Sequence, residues 1–120
     1  MKEREITGRV LVAMREDARF GTCAVEIKLV KGTTLPKSAL KEHQRRALLI
    51  ANTGVMYHKI VDAGYQNPFD AVILKKTEAY LVIWYQTKEK AHEVWAIPIA
   101  DVPDGSIRLD VARHYLRVDV

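Results

Sequence analysis

Val25-Glu26-Ile27-Lys28 decides the reading of this chain, together with His43-Gln44, whose glutamine lies sixteen residues after Lys28. On a strand, side chains alternate between faces. Glu26 and Lys28 then project side by side, while Val25, Ile27 and Leu29 fill the opposite face. An acid and a cation on an otherwise apolar strand are costly unless each finds a partner. Phosphodiester hydrolysis gives such a pair a use: the acid binds a divalent metal and the lysine stabilises charge on the phosphate under attack. The ordinary alternative is an edge strand with a solvated charged face, and the tripeptide alone favours that alternative.

Working outward, Gly32-Thr33-Thr34-Leu35-Pro36 breaks the strand over 25–29. A helix is expected over 38–52, with Ser38 as N-cap and Gly54 as its C-terminal stop. On this helix Leu40, Leu48 and Ala51 share one face, and Gln44 sits in the middle of it. A glutamine on a buried stripe needs hydrogen-bond partners and would point towards the sheet. It is either a core amide satisfied by backbone or a member of the Glu26/Lys28 site. The outward face carries Lys41, Arg45 and Arg46, with Lys37 just before it. These residues could track a phosphate backbone or form a solvated face diluted by Glu42.

The remainder reads as strands over 55–60, 69–74, 79–85 and 92–99, with a loop over 62–68 and turns at Lys76-Thr77 and Pro103-Asp104-Gly105. The tail from 107 to 120 fits a short helix or a strand. Near the start, Ile6, Val10 and Met14 recur every four residues, which predicts a helix over 3–15. A competing reading pairs 12–20 with 23–31 through a type II′ turn at Gly21, placing Asp17 opposite Glu26. The expected class is α/β: one domain over 1–120 with a single mixed sheet flanked by helices.

Composition sets outer bounds. A hydrophobic fraction of 48% and a charged fraction of 28% are ordinary for a soluble globular chain. The longest uncharged runs contain polar residues and are too short to cross a bilayer, so no membrane association is expected. The charged start Met1-Lys2-Glu3-Arg4-Glu5 leads into no signal-like apolar core. The single cysteine, Cys23, has no internal disulfide partner and no companions for a zinc site, which fits a reducing cytoplasm. A net charge of +4 is compatible with a polyanionic partner without demonstrating one. His58 and His92 lack ligand partners at suitable spacing. Trp84, Tyr85 and Trp95 sit in strand patterns and read as core, although such rings can stack on bases. Tyr65 is the better aromatic candidate for a nucleic-acid contact.

The run from Cys23 through Glu26-Ile27-Lys28, Leu35-Pro36-Lys37-Ser38 and His43-Gln44 to Leu48 resembles the PD-(D/E)xK nuclease superfamily. It is most similar to small phage and bacterial Holliday-junction-resolvase-like proteins. There a Glu-x-Lys strand is followed by a Pro-containing loop and a helix opening with His-Gln. Tyr57-His58-Lys59-Ile60 and Asn67-Pro68-Phe69-Asp70 also look like segments of that group, so the resemblance spans about 23–85. It implies a restriction-endonuclease-like core and a Mg²⁺- or Mn²⁺-dependent endonuclease acting on DNA, branched DNA included. It further implies a homodimer, because two strands must be cut. Glu26 would be a metal ligand, Lys28 the catalytic lysine and Gln44 the supporting helix residue. The residues themselves, apart from the resemblance, offer Lys37, Lys41, His43, Arg45 and Arg46 as DNA contacts, with a solvated helix face, and for His43 a polar place in the first turn, as the alternative. The family's Pro-Asp before the Glu-x-Lys strand is missing here, which leaves the first metal-binding acid to Asp17, Asp70, Glu3 or Glu5. Two alternatives stand beside the nuclease: an inactive DNA-binding module of the same fold, and a protein-interaction domain in which Glu26/Lys28 is a surface salt bridge.

Overall fold

A computed structural model describes residues 2–60 and 69–120. The helical period of the first residues wins over the hairpin. Helix α1 (Glu3–Arg15) buries Ile6, Val10 and Met14 along one stripe. Strand β1 (Cys23–Lys31) follows, then the short β2 (Thr34–Leu35), a 3-10 turn over Lys37–Ala39 and helix α2 (Glu42–Thr53). After these come β3 (Val55–Lys59), β4 (Ala71–Lys75), β5 (Glu78–Lys88) and β6 (Ala91–Pro98). A second 3-10 turn, β7 (Ile107–Arg108), α3 (Leu109–Ala112) and β8 (Leu116–Arg117) complete the chain.

The main sheet has the order β1-β5-β6-β8, with β1 parallel to β5 and the other pairs antiparallel. The protein is therefore mixed α/β. Its centre is the run Ala79-Tyr80-Leu81-Val82-Ile83-Trp84-Tyr85, every residue of which is buried. A strand covered on both faces reads as a continuous apolar run rather than an alternating one. Leu81, Ile83 and Tyr85 pack with Leu48, Ile97 and Leu109 on the α2 side. Tyr80, Val82 and Trp84 pack with Ile6, Val10, Met14 and Ile27 on the α1 side. Each fully buried aliphatic side chain contributes about 1.5–3 kcal/mol. Ala24 and Val30 belong to the α2 side, Val25 and Leu29 to the α1 side. The strand period then sends Glu26 and Lys28 towards α2.

The aromatics of β5 and β6 are structural. The Trp84 Nε1–H donates to Gln86 Oε1 at 2.8 Å, the Tyr85 hydroxyl to the Ile107 carbonyl at 3.0 Å, and the Trp95 Nε1–H to Glu93 Oε1 at 3.2 Å. His92 stacks on Trp84 with ring centroids 4.2 Å apart. None of these rings is free to receive a base.

Two expectations change, and one strand pairing is set by the fold alone. Residues 12–15 complete α1, so the hairpin that would set Asp17 against Glu26 does not form, and β1 takes β5 as its neighbour. The helix expected over 38–52 begins at Glu42, because the cap at its start comes from Gln44 and not from Ser38. Lys37–Ala39 forms a separate 3-10 turn, and Leu40 is extended. The strands on either side of Lys76-Thr77 are consecutive but do not pair: β4 pairs with β3 in a separate two-stranded sheet. That hairpin is inserted between α2 and β5. Its base is held where the Lys76 N–H donates to the Gly54 carbonyl and the Thr77 N–H to the Ala51 carbonyl. At the join a Cβ on Gly54 would lie 3.3 Å from the Ile50 carbonyl oxygen, so a side chain there would need the backbone to give by a few tenths of an ångström. The tail resolves into β7, α3 and β8 in turn. The loop expected over 62–68, and Tyr65 within it, lie outside the described residues. No helix among the described residues is long and apolar enough to cross a membrane.

Candidate functional site

Three side chains from two elements converge on the α2 face of β1. Gln44 Nε2 donates to Glu26 Oε1 at 3.0 Å, and Lys28 Nζ lies 3.4 Å from the same oxygen. The side chains of Lys28 and Glu26 are 12% and 30% exposed, so the ammonium is largely enclosed and the carboxylate is open at one side. Gln44 is itself positioned: its Oε1 accepts the Lys41 backbone N–H at 3.0 Å, the reciprocal half of a capping box. Lys41 has no acceptor side chain, so the other half is absent. One amide therefore closes the first turn of α2 and reaches the Glu26 carboxylate. The sequence signal for this cap is a glutamine three residues after the last non-helical residue, and Ser38 competes with it as a cap of the commoner type.

The contenders for a second acid do not join this cluster. Asp17 accepts the Arg19 backbone N–H at 3.0 Å and pairs with its guanidinium at 2.7 Å. Hydrogen bonds from the Arg19 side chain and backbone hold the Asp17 carboxyl below the usual carboxylate range. Arg19 in turn donates to the Arg117 carbonyl on β8, at the sheet edge opposite β1. Three strand spacings of about 4.8 Å put that edge roughly 14 Å from Glu26. Glu3 and Glu5 are exposed in the first turn of α1, which covers the other face of the sheet. Asp70 is exposed, and its carbonyl accepts the Ile60 N–H at the end of the β3–β4 ladder remote from α2. Among the described residues, no group of three or more His, Cys, Asp or Glu side chains could hold a metal ion. Glu26 supplies one carboxylate. That suits a Mg²⁺ ion completed by waters and substrate phosphate oxygens, and falls short of the two carboxylates such a site often uses.

The expected DNA-contact residues divide. Arg45 donates to the Val102 carbonyl at 3.3 Å and the Pro103 carbonyl at 3.0 Å, tying α2 to the segment after β6. Its guanidinium is thus committed to the fold, a role its place on the helix surface did not reveal. Arg46 sits 3.8 Å from Glu42 in an exposed i,i+4 pair. Lys37, Lys41 and His43 are exposed around the start of α2. No protein-family model, curated protein or solved structure matches the chain.

Proposed function

We propose that the protein is a metal-dependent DNA endonuclease with a restriction-endonuclease-like core. The observation that carries this reading is the meeting of Glu26, Lys28 and Gln44 at one carboxylate oxygen, with separations of 3.0 and 3.4 Å. The resemblance named these same three residues from sequence. A bound Mg²⁺ or Mn²⁺ would polarise the scissile phosphate and lower the pKa of its water. Glu26 would hold the ion, oriented by the Gln44 amide. Lys28, enclosed beside it, would place a positive charge where the phosphate becomes more negative. Lys37, Lys41 and His43 would lie along the DNA backbone, with branched DNA the substrate class to examine first and a homodimer the working form.

A second reading is favoured by the lone carboxylate: a DNA-binding module that keeps the fold without cutting. Incubating supercoiled and four-way-junction DNA with Mg²⁺, alongside Glu26→Ala and Lys28→Ala, separates the two. Cutting by the parent chain and loss in both variants, with binding retained, supports the nuclease. Salt-sensitive binding without cutting supports the module, and absence of both rejects each.

A further inference from the structure

Strand β1 is the outer strand of the main sheet, and its residues pair with β5 alone. Among the described residues, no other backbone hydrogen bond reaches 23–31. Among the described residues, one edge of this nine-residue strand thus has no partner for its N–H and C=O groups. Its apolar side chains Ala24, Val25, Leu29 and Val30 are only partly buried, although both helices pack nearby. Natural proteins blunt such an edge with proline, bulges or charges; β1 has no proline, and of its charges Glu26, Lys28 and Lys31 the first two are of opposite sign and can answer each other across a pair of strands.

Read outward from Ile27, the strand is complementary to itself. Val25 matches Leu29, Ala24 matches Val30, and Glu26 matches Lys28. We infer that two copies of the chain pair β1 with β1 antiparallel about Ile27, forming a continuous eight-stranded sheet and a shared Glu26/Lys28 site. An antiparallel pair with its two-fold axis at Ile27 is isologous, so every contact occurs twice. It places Val25 opposite Leu29 of the other copy on the α1 face. It also places Glu26 opposite Lys28 of the other copy on the α2 face. A parallel or shifted register would set like charges side by side or turn the charged face over.

The pairing supplies what one chain lacks. The two Glu26 residues become diagonal neighbours, about 7–8 Å apart at the backbone. Their side chains can span that gap to one divalent cation with bonds of about 2.1 Å. Four alternating charges and two Gln44 amides would surround the site. This shared-site consequence rests on the nuclease reading, whereas the strand pairing does not.

Light scattering on the full chain tests the pairing, expecting twice the 13.7 kDa chain mass. In a Cys23→Ser background, a mixture of Val25→Cys and Leu29→Cys chains should form disulfides between the two variants in preference to either with itself. Glu26→Lys alone sets lysines opposite each other and should shift the protein to monomer. Glu26→Lys combined with Lys28→Glu restores complementarity and should recover the dimer without recovering DNA cutting. A monomeric parent overturns the proposal, as does a dimer whose cysteine pairs ignore this register or whose charge swap recovers nothing. A dimer of the expected register that never cuts DNA sustains the pairing and rejects only the nuclease reading.

Discussion

Gln44→Ala is the change that most directly probes how the site is built. It removes two hydrogen bonds of 3.0 Å, one capping the Lys41 N–H and one holding Glu26. Loss of a helix cap costs about 1 kcal/mol. A hydrogen bond to a charged group is worth about 1.5–3 kcal/mol when buried. Glu26 is 30% exposed, so water recovers part of that and about 1 kcal/mol remains. The expected total is about 2 kcal/mol. In urea unfolding followed by tryptophan fluorescence, that is a midpoint lower by roughly 1 M. Gln44→Glu keeps the cap acceptor but sets a second carboxylate against Glu26. It should lose stability at neutral pH and regain it on adding Mg²⁺, because two converging carboxylates then share a cation. The double variant Gln44→Ala with Glu26→Ala should cost less than the two single changes summed, by about 1 kcal/mol. A Gln44→Ala effect under about 0.5 kcal/mol, or strict additivity in the double variant, would refute the linked cap-and-carboxylate account.

Lys28→Met should lower stability by no more than about 1 kcal/mol, since Glu26 keeps Gln44 and partial solvent, yet reduce DNA cutting by about 10²–10³-fold in a plasmid assay. Arg45→Ala should destabilise the chain by about 1–2 kcal/mol through its lost bonds to Val102 and Pro103 while leaving the salt dependence of DNA binding unchanged. Lys37→Ala and Lys41→Ala should do the opposite, each reducing the slope of log affinity against log salt by about 0.9 with little effect on thermal melting. On β6, Glu93 accepts hydrogen bonds from Arg113 and Trp95, and Arg113 foremost holds its carboxyl below the usual range. A lowered folded-state pKa gives stability that is present above the unfolded value, about 4.3, and lost as pH falls through the folded value. Arg113→Leu should therefore be less stable than the parent at pH 6, and the gap should close below about pH 4 in parallel melts.

The sequence by itself determined the class of the fold. The four-residue recurrence of Ile6, Val10 and Met14 and the unbroken run from Ala79 to Tyr85 are local patterns whose burial needs no knowledge of partners. It also placed Gln44 among helix residues facing the sheet, because a helical stripe is a property of spacing alone. Strand pairing was beyond its reach. A period-2 pattern says which side chains share a face but not which strand lies alongside, so β1 could be drawn with 12–20 as readily as with β5. The start of α2 followed from the one-sided Gln44 cap, which competed with Ser38, and only the folded backbone decides between two caps. Tertiary structure alone brought Glu26, Lys28 and Gln44 to one oxygen, carried Asp17 to the opposite edge of the sheet and committed Arg45 to Val102 and Pro103. Those facts depend on contacts between residues far apart in the chain, where the free energy is set by packing and pairing across elements and not by local propensity.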